Sequence, residues 1–218
     1  MLLFLIDSRR GGTGYPRREK PQNSMNKRYL PLFILHIGSG LTASRLDPVI
    51  TEEMTLKLMG MVYYGDPVHT YEGWTEGNEI GRLWNRFESL SQKYSTIIKE
   101  YVVNPGLGYE IHISYPEAES KEYHIFVGVE TKTPVGYPLE LFYKELPSTK
   151  YAIFTSKGVD MAKDMALIYS DWLPNSKYNE SYPMLIERYD AKRYFGLNNP
   201  ESEIDFMLPI REVEPNDI

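Results

Sequence analysis

The residues best suited to chemistry in this sequence are a few carboxylates and aromatic side chains set among apolar neighbours. Glu187 lies in residues 183–190, whose alternation predicts a strand, with Leu185 and Tyr189 on its own face. A carboxylate so placed loses solvation unless a positive charge or a donor meets it. From the residues alone two readings stay open: a surface ion pair with Arg188 or Lys192, or a counter-charge inside a pocket. Trp84, Tyr169 and Trp172 recur on the apolar stripes of two predicted helices. Aromatics there usually fill a core, but they can also turn one ring face to a cleft. Glu130 closes a predicted strand, where it caps a turn or meets solvent, and His112 and His124 fall on the partly polar face of a hairpin, as surface histidines do.

Other chemistries find no support. The chain has no Cys, which excludes disulfides, thiolate metal sites and Cys nucleophiles. Its four His are scattered without the close pairs of a zinc or di-metal helix, so neither a metal nor another cofactor is expected. Gly11-Gly12-Thr13-Gly14 resembles a phosphate loop only superficially, because no strand leads into it and no Gly-Lys-Ser/Thr follows.

The elements that must position these residues can be read from periodicity. Residues 54–64 predict a strand that stops at Gly65-Asp66-Pro67. Ile80, Leu83, Trp84, Phe87, Leu90, Tyr94, Ile97 and Ile98 then follow helical spacing, with Asn78 or Thr75 as the candidate cap. Residues 109–115 and 123–130 alternate with period two and predict an antiparallel hairpin. The same order returns: strands at 139–146 and 151–156, a helix carrying Ala162, Met165, Ala166, Tyr169, Trp172 and Leu173, and strands at 183–190 and 203–210. Pro174 stops the second helix, since proline disfavours helical geometry in the residue before it. The expected fold is α+β: duplicated β-α-β-β halves forming an antiparallel sheet covered by two helices.

Charge divides the chain. Residues 1–46 hold eight Lys/Arg and two acids, whereas the remainder holds 16 Lys/Arg against 28 acids. An acidic body repels phosphate backbones and attracts cations, so direct nucleic-acid binding is not expected. Residues 9–22 are rich in Gly, Pro and Arg without periodicity, and read as disordered. The basic start at Met25 with the apolar run 29–37 resembles a secretory signal, but Leu41 stands where a cleavage site needs a small residue. A poorly structured N-terminal extension over 1–46 is the preferred reading, followed by one domain over 47–212 and a tail over 213–218. The apolar run is too short to cross a membrane, and the cytoplasm is the expected compartment.

Several segments together resemble a known family. Tyr151-Ala-Ile-Phe-Thr-Ser-Lys-Gly158, Tyr169-Ser-Asp-Trp-Leu-Pro174, Pro183-Met-Leu-Ile-Glu-Arg-Tyr189 and Ile204-Asp-Phe-Met-Leu-Pro-Ile210 are similar to GyrI-like effector-binding domains. Gly81-Arg-Leu-Trp-Asn-Arg-Phe87 and Tyr123-His-Ile-Phe-Val-Gly-Val-Glu130 resemble its stand-alone, integron-associated branch. Two departures are visible. No helix-turn-helix pattern precedes the domain, and Met207 and Leu208 replace an aromatic the family often carries beside the final Pro.

The resemblance implies a binding module for small cationic or amphipathic aromatic molecules, such as serves effector sensing, multidrug binding or transcription regulation. Glu187 would be the counter-charge, and Tyr189, Trp84, Trp172 and Tyr169 would line a cleft between the halves. A cation on aromatic faces gains about 0.5–2 kcal/mol per good contact. Two further readings stay open. Some relatives resemble hydrolases of reactive ring compounds, in which Glu187 with Tyr189 or Tyr169 would assist attack by water. Others bind and inhibit DNA gyrase, which would make the chain's acidic surface a protein-interaction face.

Overall fold

The structure is a computed structural model, described here for residues 47–67, 77–113, 122–132, 136, 138–196 and 199–213. The expected N-terminal extension and nearly all of the tail lie outside these residues. The chain runs β1 (Val49–Ile50), β2 (Lys57–Gly65), α1 (Glu79–Lys93), α2 (Ser95–Tyr101), β3 (Leu107–Ile113), β4 (Tyr123–Glu130), β5 (Phe142–Glu145) and β6 (Lys150–Lys157). The second half continues with α3 (Met161–Leu167), β7 (Tyr178–Glu180), β8 (Met184–Asp190) and β9 (Glu203–Glu212).

α1 forms where the apolar stripe predicts it. Asn78 accepts a hydrogen bond from the Gly81 N–H at 2.9 Å, which satisfies one of the free donors of the first turn. Glu79 at its start and Lys93 at its end both complement the helix dipole. Ile80, Leu83 and Phe87 are buried against Met59, Ile125, Val127 and Val129 of the sheet. Each such side chain stabilises the fold by about 1.5–3 kcal/mol through burial. The expected single helix over residues 80–98 is in fact two. It breaks at Tyr94, whose φ of −105° and ψ of 24° leave helical geometry before α2 resumes at Ser95.

α3 also departs from a simple helix. It passes into a π turn at Ile168–Trp172 and ends with Leu173–Asn175. The Leu173 N–H bonds to the Ile168 carbonyl, five residues back. Pro174, which brings no N–H and crowds the preceding turn, follows directly on this widened stretch.

All strands join one antiparallel sheet in the order β1-β6-β9-β8-β3-β4-β2-β5, with β7 on β9. The inner six strands read symmetrically, so β3 and β8, which follow the helix of each half once the short β7 is set aside, meet in the middle. The flanking strands are exchanged. β1 leads into the first half yet pairs with β6, and β5 leads into the second half yet pairs with β2. Between them, Met54 bridges Thr149 and the Leu146 N–H bonds to the Leu56 carbonyl. One face of the sheet carries the helices. The other buries Leu56, Leu58, Tyr109, Ile111, Phe126, Tyr151, Ile186 and Met207 as a core to which none of the described helices contributes. The duplicated α+β architecture expected from the sequence is therefore the observed one. β1, β7 and α2 are additions to it.

Candidate functional site

β3 and β8 pair in a register that sets Glu110 directly opposite Glu187. Because the two strands hold equivalent places in the two halves, these glutamates are counterparts across a pseudo-two-fold axis. Period two then puts His112 beside Glu110 and Tyr189 beside Glu187 on the same, helix-bearing face. The site is thus built from Glu-x-His in one half and Glu-x-Tyr in the other. Glu110 and Glu187 are only 4% and 3% exposed, and His112 only 6%.

The expected surface position of His112 is therefore wrong. Its alternation with Ile111 and Ile113 looked like a solvated face, but β3 is a central strand covered on both sides. His124, by contrast, is exposed as expected, with its ring 4.5 Å from that of Tyr64. Glu130 accepts a hydrogen bond from Asn104 at 2.9 Å. The alternative of a surface pair between Glu187 and Arg188 also fails. Arg188 points to the other face, where it donates to Asp205 at 2.8 Å.

The two carboxylates are held by shared donors. The Tyr189 hydroxyl donates to Glu187 Oε2 at 2.6 Å and lies 3.2 Å from Glu110 Oε2. Trp84 on α1 donates its indole N–H to Glu110 Oε2 at 2.7 Å. His112 Nε2 meets Glu110 Oε1 at 2.8 Å and lies 3.7 Å from Glu187 Oε1. Among the described residues no Lys or Arg pairs with either carboxylate. Burial and the neighbouring Glu110 charge push the Glu187 carboxyl up to about 7, against the pull of His112 and Tyr189. Burial works against a charged His112, yet the hydrogen bond and charge of Glu110, helped by Glu187, leave its pKa raised. Burial and both glutamates push the Tyr189 phenol well above its usual value.

The aromatic residues fall into two groups. Trp84 meets Tyr189 edge to face at 5.7 Å, and Tyr194 meets Tyr189 at 4.9 Å. Trp84 packs against the cores of both halves. Trp172 instead sits against Phe154 at 4.9 Å and stacks with Tyr178 at 6.0 Å. Tyr169 hydrogen-bonds Glu180, whose carboxyl burial raises to about 6. Of the five residues singled out in the sequence, the structure gathers Glu187, Tyr189 and Trp84 and gives Trp172 and Tyr169 other partners. Glu110, His112 and Tyr194 were missed. The signal for the first two was the matching Glu-x-aromatic-ring pattern in equivalent strands.

Glu110, His112 and Glu187 are also the trio, among the described residues, whose donor atoms cluster, all lying within 4.8 Å of one another. Within it His112 Nε2 lies 2.8 Å from Glu110 Oε1 and 3.7 Å from Glu187 Oε1, and Trp84 and Tyr189 donate to the same carboxylates, so the groups already satisfy one another. The trio is better described as a hydrogen-bonded acid cluster. An open groove of about 430 Å³ on the flank of α1, lined by Met61, Asn85, Arg86, Ser89 and Leu90, shares no residue with it.

The duplicated sheet thus carries a buried, aromatic-flanked acid pair where its two halves meet. Residues 50–210 match the family described as integron-associated effector binding protein (Cass2), and the chain belongs to that family. This agrees with the resemblance read from the sequence. The structure of SAV2435 bound to tetraphenylphosphonium is similar, at TM-score 0.53 and 12% identity, over 76% of this chain and 94% of that one. The EcmrR C-terminal domain gives TM-score 0.51 and 9% identity, over 77% and 99%. The integron cassette protein VCH_CASS2 from the mobile metagenome of Vibrio cholerae gives 0.46 and 15%, over 75% and 95%. No curated protein matched the chain. No described helix is long and apolar enough to cross a membrane.

Proposed function

We propose that this domain binds small cationic or amphipathic aromatic molecules between its two halves, as an effector-sensing or sequestering module, with Glu187 as the counter-charge. The observation that carries this reading is the buried Glu110–Glu187 pair, which lacks a Lys or Arg partner among the described residues and is flanked by Trp84, Tyr189 and Tyr194. Carboxylates taken out of water need positive charge, and aromatic rings favour a flat, weakly hydrated cation. Support also comes from family membership and from a similar fold solved with tetraphenylphosphonium bound. Tyr169 and Trp172 would serve as an outer aromatic wall. Cytoplasmic work as part of a regulatory or multidrug response fits this role.

The test is quenching of intrinsic Trp fluorescence by tetraphenylphosphonium in wild type and Glu187→Gln. Trp84 touches both Glu110 and Tyr189, so occupation of the site should alter its emission. Saturable quenching that weakens about tenfold or more in the variant is expected, since a hydrogen-bonded charge contributes about 1.5–3 kcal/mol. Equal affinity in both proteins would remove Glu187 from the site.

The 2.6 Å hydrogen bond between Tyr189 and Glu187 favours one second reading, a hydrolase of strained-ring electrophiles. The ionised carboxylate would take a proton from water as it attacks, and the phenol would give its proton to the atom leaving the opened bond. Turnover of such a compound, lost in both Glu187→Gln and Tyr189→Phe, would establish it; binding without turnover would dismiss it.

A further inference from the structure

The acid pair has a charge count that a simple counter-charge does not explain. Two ionised glutamates and one protonated histidine leave the buried cluster at −1. The cluster is made by groups from every element packed on it. β3 gives Glu110 and His112, β8 gives Glu187 and Tyr189, α1 gives the uncharged Trp84, and residue Tyr194 stands against Tyr189. The strands on either side present Val127 opposite Glu110 and Phe206 opposite Glu187, both apolar. The charges that act on Glu187 are those of Glu110 and His112. Like charges held face to face in so dry a place cannot both stay ionised, and one proton between them restores neutrality.

We propose that the facing Glu110–Glu187 pair holds one shared proton when the site is empty, and that an entering organic cation displaces it. The cluster is then neutral in both states, as its burial demands. One cation enters, one proton leaves to solvent, and the site works as an exchanger rather than as a standing negative charge. The elevation of Glu187 to about 7 agrees with this, since it places the proton on the pair at neutral and mildly acidic pH. Glu110 thereby becomes a positioning residue: its charge keeps the proton on the pair. The displacement half of the proposal rests on the reading of the site as a cation pocket; the proton half does not.

Tetraphenylphosphonium is the suitable probe, because its charge is permanent and it carries no exchangeable proton. Calorimetric titration in buffers of different ionisation enthalpy should show nearly one proton released per cation at about pH 6 and nearly none at about pH 8.5. Affinity should rise about tenfold per pH unit below about 7 and level off above it. Glu110→Gln should bind with much less proton release at about pH 6, because the like charge that retains the proton is gone. Saturable binding with no proton release at either pH overturns the exchange while leaving the cation pocket intact. In the ligand-free protein, infrared spectroscopy should show a protonated-carboxyl C=O band that shrinks between about pH 6 and 8 and is absent in Glu187→Gln. If tetraphenylphosphonium fails to bind at both pH values, the pocket reading and the displacement fall together, and this band alone decides the shared proton. A wild-type protein without such a titrating band overturns the proposal outright.

Discussion

Replacing Glu187 with Gln should stabilise the empty protein, by an amount that depends on pH in a defined way. The Glu187 carboxyl rises from an ordinary 4.5 to about 7 on folding. The unfolded chain therefore releases this proton from about pH 4.5 upward, while the folded protein keeps it until about 7. Stability contributed by the group is complete at acid pH, falls through this window, and is gone above it. A shift of this size corresponds to about 3 kcal/mol, at roughly 1.4 kcal/mol per pKa unit. His112 is also raised and so acts with the same sign, but the substitution removes one of the charges that raise it. Gln is isosteric, its carbonyl still accepts from Tyr189, and its amide can donate toward Glu110. The variant should equal wild type near pH 4.5 and exceed it by about 3 kcal/mol near pH 8, on the order of 6–10 °C in Tm for a chain of this size. Urea denaturation at half-unit steps from about pH 4.5 to 8.5 measures this directly. Parallel profiles for the two proteins would refute the account of a strained, proton-holding pair.

Three other expectations follow from single contacts. Trp84→Phe keeps an aromatic ring but deletes the 2.7 Å hydrogen bond to Glu110, and should cost about 1.5–3 kcal/mol in chemical denaturation. Gly128→Ala would set a Cβ 2.2 Å from the Met59 carbonyl oxygen and 2.9 Å from the Gly60 Cα, where β2 and β4 touch backbone to backbone. That contact cannot relax by a side-chain rotation, so a loss above about 3 kcal/mol and a low folded yield by circular dichroism are expected. Asp205→Asn breaks the pairs with Arg188 and Arg193, whose partial exposure limits the cost to about 2 kcal/mol. Burial works against the charged Asp205, but the arginines and Thr155 outweigh it and lower its pKa. The Asp205 contribution is thus present at neutral pH and lost as pH falls through its folded value, which acid titration of Tm will show in wild type and not in the variant.

How far the site was legible depended on which signal each residue offered. Glu187 was found because a lone carboxylate between Leu185 and Tyr189 demands a partner, and the family resemblance supplied a reason. Trp84 was found because it lies on an apolar helical stripe as an aromatic that can turn one ring face to a cleft; its role as a donor to Glu110 came only with the structure. Glu110 and His112 escaped because Tyr109-Glu110-Ile111-His112-Ile113 alternates as a half-exposed strand does. Only the pairing of β3 with β8, set by contacts far apart in sequence, reveals that both faces are covered. The exchange of β1 and β5 was invisible for the same reason. Short segments carry no periodicity long enough to name a partner, and β1 is only two residues long. The break at Tyr94 and the π turn at Ile168–Trp172 were missed because apolar spacing continues through both; backbone bonds, not the stripe, decide where a helix changes pitch.

The exchanged flanking strands also bear on how the chain reaches this structure. The ladders that tie β1 to β6 and β5 to β2 join residues roughly 80–100 positions apart, and folding slows as such distant contacts come to dominate. Each half takes its edge strand from the segment that leads into the other. The acid pair itself forms only when β8 of the second half meets β3 of the first, so a nascent first half exposes Glu110 and His112 to water, where they carry no strain. The electrostatic burden of the site falls on the final, cooperative closure of the molecule. Slow refolding that accelerates at lower pH is the kinetic mark such an order of assembly would leave.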